Sequence, residues 1–221
     1  MTDPSEFQAL SASIGADLSI DGARRLLGYL DAMLDENTRI NLTAVRERDA
    51  AVRLHALDSV ALACLEPEGG PARPPGLALD LGTGNGFPGV AIACLYPDVR
   101  VVLMDRRLKK LHAIQRALAA AGFEPEQFEI AHMDAAAARN EGYRARFDLI
   151  TTRAVGPPEA VGKLAKPLLA PGGRFVAWMS DETEALAKLK CGLELAGSAE
   201  YALPAPADRT RRIASYRLQE R

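Results

Sequence analysis

The stretch LALDLGTGNGFPGVAIA, residues 77 to 93, sets four glycines and a proline between two apolar runs. The first run, LALDL, reads as a short buried strand. A helix is expected from Pro88, whose fixed backbone angle suits the first helical position. Between them, Gly82, Gly84, Gly86 and Gly89 leave the main chain bare enough for a ligand to approach it closely. A plain turn needs one or two glycines, so this loop points to a bound molecule. In doubly wound sheets small cofactors bind beyond the carboxyl ends of the strands, where the first such turn lies.

The rest of the chain agrees with that architecture. Residues 22 to 36 carry Leu26, Leu27, Leu30, Met33 and Leu34 at helical spacing, with Ser19 or Asp21 as cap. A second helix over about residues 49 to 65 has the stripe Leu54, Leu57, Ala61, Cys64 and Leu65. The proline- and glycine-rich segment 66 to 76 reads as a linker. The expected organisation is therefore a helical region 1–65, a linker, and an α/β domain 77–221.

Beyond the linker, VRVVLM (99 to 104), FEIAHM, FDLITT and RFVAWM are strand-like, and residues 106 to 121 form a helix that Gly122 stops. RRIASYRLQ reads as a late edge strand and the alanine-rich DAAAARN as helix. Strands alternating with helices mean a parallel sheet covered on both faces.

Charge narrows the partners. With 27 basic and 29 acidic residues the net charge is −2, so binding to a polyanion must use local patches. The densest basic cluster is Arg106, Arg107, Lys109 and Lys110; Arg209, Arg211 and Arg212 form a second. Cys64, Cys94 and Cys191 are far apart and are expected as buried, reduced thiols; neither they nor His112 and His132 suggest a metal. No apolar run approaches a membrane span and the N-terminus lacks the pattern of a signal peptide, which leads to a cytosolic expectation.

The loop also bears on which cofactor binds. GNGFPG matches GxGxxG, but it begins two residues late relative to the strand. In the register from Gly82 the third position is Phe87, which makes a pyrophosphate harder to seat. Asp80 ends the strand where a carboxylate can face an ammonium group. Asp105 ends the second strand, where an acid accepts from ribose hydroxyls. Met133 and Asp134 follow the third strand and can flank an adenine, or Asp134 can cap the next helix. S-adenosylmethionine carries an ammonium, a sulfonium and no phosphate.

INLTAV (40 to 45), HALDS (55 to 59), the glycine loop, MDRRLKKL (104 to 111) and TTRAVG (151 to 156) together resemble the RsmG/GidB family of bacterial 16S rRNA methyltransferases, which act at guanine N7. The resemblance implies a Rossmann-like class I methyltransferase fold: a seven-stranded, mostly parallel sheet with an N-terminal helical extension. It implies S-adenosyl-L-methionine as cofactor and 16S rRNA or the small subunit as partner; a monomer is expected, although the sequence does not fix the oligomeric state. By position, Gly82, Gly84, Phe87, Met133, Asp134 and Arg153 would line the cofactor site. Two departures stand out: Trp178 to Ser180 replace a usual Lys-Gly pair after the fifth strand, and Arg106 and Arg107 replace a serine and a small or apolar residue.

Guanine N7 already has a lone pair, so its methylation needs no general base; orientation suffices. No N/D-P-P-Y/F segment follows the fourth strand and no cysteine lies near the fourth or fifth, which disfavours exocyclic-amine and carbon-5 methylation. Arg153 is the main candidate outside the loop, as a donor to cofactor carboxylate, guanine O6 or phosphate; the structural alternative is an ion pair with Asp148 or Glu159. On the first reading Arg153→Ala folds normally but loses methyl transfer. His55 and Asp58 can share a helix face as a buried pair, and Asn41 can make a local backbone bond. Two other functions remain open: an NAD-dependent oxidoreductase, and a non-catalytic module that binds adenosyl ligands or RNA.

Overall fold

The computed structural model describes residues 2–65, 74–180 and 182–219. Most of the expected linker, residues 66 to 73, lies outside them. The expected seven-stranded, mostly parallel sheet is present. Its strands are β1 (Leu77–Leu81), β2 (Arg100–Asp105), β3 (Phe128–His132), β4 (Phe147–Arg153), β5 (Leu169–Ser180), β6 (Leu193–Leu203) and β7 (Arg209–Leu218). Their order is β3-β2-β1-β4-β5-β7-β6. The first five run parallel, and β7 is antiparallel to both of its neighbours.

Period-two alternation assigns the faces. Ala78, Val101, Leu103 and Leu149 join one core with α2 (Ile20–Asn37), α5 (Gly89–Leu95) and α6 (Leu108–Ala120). Leu79, Val102, Ile150 and Phe175 join the other, which α7 (Pro158–Ala165) covers. The first core also takes Phe7 from α1 (Pro4–Ser13), and residues from 51 to 65. In α2, which Ser19 caps through the Gly22 N–H, Leu26, Leu30 and Met33 are fully buried. Each such side chain contributes about 1.5–3 kcal/mol. Among the described residues no helix is long and apolar enough to cross a membrane.

Four expectations need correction. RRIASYRLQ is no edge strand: β7 lies between β5 and β6, and β6 is the edge. The strand β6 carries a weak sequence signal because its register shifts between Leu195 and Gly197 and its burial pattern lacks a clean apolar alternation. DAAAARN forms only the 3₁₀ turn Ala138–Asn140, since Asp134 takes the Ala136 N–H at 2.9 Å and so few residues cannot nucleate a helix. The second helix is not regular: α3 (Arg48–Ala51) widens into a π-helical stretch, Val52–Leu57, before α4 (Asp58–Val60) and the 3₁₀ turn Ala61–Leu65. Of the three thiols only Cys94 is buried; Cys64 and Cys191 are partly exposed.

Candidate active site

A cleft of about 850 Å³ opens at the carboxyl ends of β1, β2, β4 and β5. The antiparallel β7 begins there too, with Arg211 paired to Ser180 of β5. The glycine loop and the N-terminal helical segments complete its walls.

One lobe is made by Gly82, Gly84, Met104, Asp105, Met133 and Asp134. Gly82 and Gly84 have φ of +75° and +61°, a region that favours glycine. A Cβ on Gly84 would meet nothing closer than the Gly82 carbonyl at 3.7 Å, so the cleft reaches bare main chain at this point. Asp105 is buried; its Oδ2 accepts from Gly84 N at 3.1 Å and its Oδ1 from Arg107 N at 2.8 Å. Remaining lone pairs on the two oxygens can accept ribose hydroxyls. Asp134 is exposed at the rim.

Two loop residues lie elsewhere than expected. Asp80 does not face the cleft: it is 1% exposed and sits beneath the loop. Its Oδ2 accepts from Thr83 Oγ1 at 2.7 Å and Gly89 N at 3.0 Å, while Thr151 Oγ1 donates to Oδ1 at 3.2 Å. Burial pushes its pKa up, against those three donors and Arg153. The first amide of α5 is thus capped by the chain's own carboxyl group, in the place where a dinucleotide fold receives pyrophosphate. Gly86, with φ +89°, faces α2 instead of the cleft: a Cβ there would stand 1.9 Å from the Tyr29 hydroxyl. Tyr29 donates to the Asn85 carbonyl at 2.9 Å, which ties α2 to the loop.

The second lobe comes from elements far apart in sequence. Phe87 stacks on His55, ring centroids 5.8 Å apart, and packs edge-on against Tyr29 at 5.4 Å. Pro88 is the cap before α5 and not its first residue. Arg153 lines this lobe and is ion-paired, but with Asp58, at 2.9 Å. The expected alternatives act elsewhere, Asp148 accepting from Gly76 and Leu77 N–H and Glu159 from Lys190 N–H. Arg153 also donates to the Leu54 carbonyl at 3.0 Å and Ser59 Oγ at 3.3 Å, and lies 3.5 Å from His55 Nδ1. The π-helical stretch supplies the Leu54 carbonyl and His55, and α4, which follows it directly, supplies Asp58 and Ser59; such stretches are frequent at functional sites.

His55 and Asp58 are buried together, yet each bonds to other groups: His55 Nε2 lies 2.9 Å from Thr43 Oγ1 and Asp58 accepts from Tyr201 Oη at 2.6 Å. Burial and Arg153 lower the His55 pKa to about 3, so its ring stays neutral. Trp178 donates to the Asp58 carbonyl at 2.7 Å. Asn37, not Asn41, makes the local backbone bonds, accepting from Leu42 and Thr43 N–H.

The basic clusters divide. Arg106, Arg107, Arg209 and Arg211 border the cleft and Lys109 is exposed beside them. Lys110 is half-buried with its ammonium on the Leu42 carbonyl, and Arg212 is paired with Glu200 and bonded to the Thr183 carbonyl, so neither is a free phosphate donor. Sequence reasoning missed Thr83, Asn85, Tyr29 and Tyr201. The first two stand inside the quoted loop and were recoverable; nothing in one sequence joins Tyr29 or Tyr201 to it.

The family model GidB, described as rRNA small subunit methyltransferase G, matches residues 23–212. Ribosomal RNA small subunit methyltransferase G of Lachnoclostridium phytofermentans is 31% identical over 204 residues, covering 89% of this chain and 80% of that protein. The protein of the same name from Lacticaseibacillus paracasei is 30% identical over 213 residues, covering 93% and 86%. Among solved structures, a Corynebacterium glutamicum protein aligns with TM-score 0.52 at 14% identity over 87% of this chain and 91% of its own. A point variant of MtNAS in complex with S-adenosylmethionine aligns at 0.55 and 12% identity, over 98% and 78%. At such identities these two share the fold.

Proposed function

This chain belongs to the rRNA small subunit methyltransferase G family, and on that premise we propose that it transfers a methyl group to N7 of a guanine in 16S ribosomal RNA. The methyl donor is S-adenosyl-L-methionine. When bound, the donor supplies a sulfonium methyl that a guanine N7 lone pair can take up without first losing a proton.

The buried Asp80 carboxyl on the first amide of α5 carries the cofactor reading. It already occupies the amide at the start of α5 that a pyrophosphate in this fold would draw on, and it leaves no room for one there. A nucleoside without phosphate meets no such obstacle. Gly82, Gly84, Met104, Asp105, Met133 and Asp134 would hold it, Asp105 through the ribose hydroxyls and Asp134 at the adenine edge. Asp80, Thr83 and Gly86 act from behind, shaping the loop. Neutral His55 and Phe87 offer a flat wall to the acceptor side, Arg211 a cation, and Arg153 holds Asp58 behind it. Arg106, Lys109 and Arg209 would meet RNA phosphates around the mouth, with Arg107, whose Nε lies 3.4 Å from Asp105, beside them, which makes RNA affinity fall with salt.

The test uses purified protein and labelled methyl donor with small subunits, 16S RNA and tRNA in separate incubations, and maps the labelled base. Label at guanine N7 in 16S RNA is expected, with S-adenosylhomocysteine but not NADH raising the unfolding temperature. Label confined to tRNA would overturn the substrate; stabilisation by NADH alone would overturn the cofactor. Ligand binding without any label would leave only a binding module.

A further inference from the structure

The acceptor lobe holds two guanidinium groups with one carboxylate shared between them. Asp58 Oδ2 lies 2.9 Å from Arg153 Nη1, and Asp58 Oδ1 lies 3.9 Å from Arg211 Nε. The two cations differ in what they have left to give. Arg153 is consumed by the protein, with Asp58, Ser59 and the Leu54 carbonyl all on its Nη1, and its side chain is 13% exposed. Arg211 borders the same cleft with its side chain 29% exposed. At 3.9 Å its Nε makes no hydrogen bond to Asp58, and that buried atom has no hydrogen-bond partner among the described residues.

Tyr201 explains the difference. It stands opposite Arg211 in the β6·β7 ladder, and its hydroxyl donates to Asp58 Oδ1 at 2.6 Å, on the oxygen nearest Arg211. Burial and the Asp58 charge push the phenol's pKa far up, so it remains a donor. The Trp178 indole fixes the Asp58 main chain from the other side.

We propose that Tyr201 and Asp58 are positioning residues that hold Arg211 near the Asp58 charge without a hydrogen bond to it, so that its guanidinium donates to an oxygen of the incoming nucleotide. This rests on the methyl-transfer reading above. Of a guanosine nucleotide's oxygens, the two that attract a guanidinium most strongly are base O6 and a phosphate oxygen. A single-pronged bond to O6 would leave N7 free to react, and adenine would present an amino donor at the same point and be refused.

The test measures methyl transfer to 16S RNA and S-adenosylhomocysteine affinity in wild type, Arg211→Gln, Arg211→Lys and Tyr201→Phe, with unfolding midpoints to confirm folding. Arg211→Gln should lower kcat/KM for RNA about 10- to 100-fold, as loss of a charged hydrogen bond does. Cofactor affinity should hold, and Arg211→Lys should recover part of the loss. Tyr201→Phe, which lets Arg211 close on Asp58, should cost about 2- to 10-fold in the same parameter.

On RNA with 2-aminopurine, which lacks O6, at the mapped position, the Arg211→Gln penalty vanishes if O6 is the partner. If phosphate is the partner, the penalty persists with a shallower salt slope. A penalty with neither signature, unchanged RNA kcat/KM, or an equal loss of cofactor affinity overturns the inference. Wild-type protein that labels no RNA overturns the methyl-transfer reading and this inference with it, whereas label that Arg211→Gln leaves intact overturns the inference alone.

Discussion

Arg153→Ala is expected to damage folding as well as turnover, contrary to what position in the sequence suggests. The substitution strips Asp58 Oδ2 of a partner 2.9 Å away, in a pair whose side chains are 13% and 2% exposed. It also removes donors from the Leu54 and Phe87 carbonyls and Ser59 Oγ. Breaking one side of a buried pair costs about 3–5 kcal/mol, and Asp58 would be left with only the Tyr201 hydroxyl and the more distant Arg211. In a chain of this size each kcal/mol moves the unfolding midpoint about 2–4 °C, so a fall of roughly 6–20 °C follows. Since whole-protein stability is about 5–15 kcal/mol, the variant still folds in the cold.

Thermal and urea unfolding measure the loss, and methyl transfer is assayed below the lowered midpoint. Removing both charges, as Arg153→Met with Asp58→Asn, should restore much of the stability, because the new side-chain amide can still accept from Tyr201, but not the turnover. A single variant within about 2 °C of wild type would show that the Arg153–Asp58 pair does not hold this wall together, since that bounds the cost near 1 kcal/mol.

Gly86→Ala and Gly84→Ala should fail in different assays. At Gly86 the φ of +89° and the Tyr29 hydroxyl 1.9 Å from the new Cβ cost more than the roughly 1–2 kcal/mol of backbone strain alone, so the unfolding midpoint falls. At Gly84 there is room but the methyl enters the cleft, so S-adenosylhomocysteine affinity falls more than stability; the reverse ranking would refute the loop assignment. The third concerns pH. Unfolded His55 takes a proton near 6.5 but the folded ring only at about 3. The unfolded state therefore binds more protons as pH falls, and stability is lost from about pH 6.5 downward at up to about 1.4 kcal/mol per unit. His55→Gln should flatten that limb in urea titrations, and an unchanged slope would exclude His55 as its source.

Much of the fold was legible because its signals are local. Two-residue alternation, helical stripes in residues 22 to 36, and glycines after a strand are each set by a few neighbouring side chains. What was not legible depends on pairings across the sheet. Nothing within RRIASYRLQ says whether another strand lies outside it, and β6, with its register shift at Gly197, gives a weak local signal. The acceptor lobe joins Asp58, Arg153, Trp178 and Tyr201, whose bonds cross 95 to 143 residues of chain. HALDS and TTRAVG could be singled out separately, but only folding shows that one serves the other.

Asp80 is a different case, because its true place could have been derived. In β1 the residues alternate, so Asp80 shares a face with Ala78, which belongs to the core under α2 and α5, while Leu79 and Leu81 face the opposite core. A carboxylate on the α5 side, nine residues before the helix's first amide, bonds to that amide before it can reach the cleft. Its distance from the glycines along the chain suggested a ligand contact; its parity within the strand assigns it to the support of the loop. A carboxyl group so placed occupies the amide that a pyrophosphate would need and leaves the glycine lobe of the cleft untouched, which is why Asp80 bears on ligand choice although it lies out of the ligand's reach.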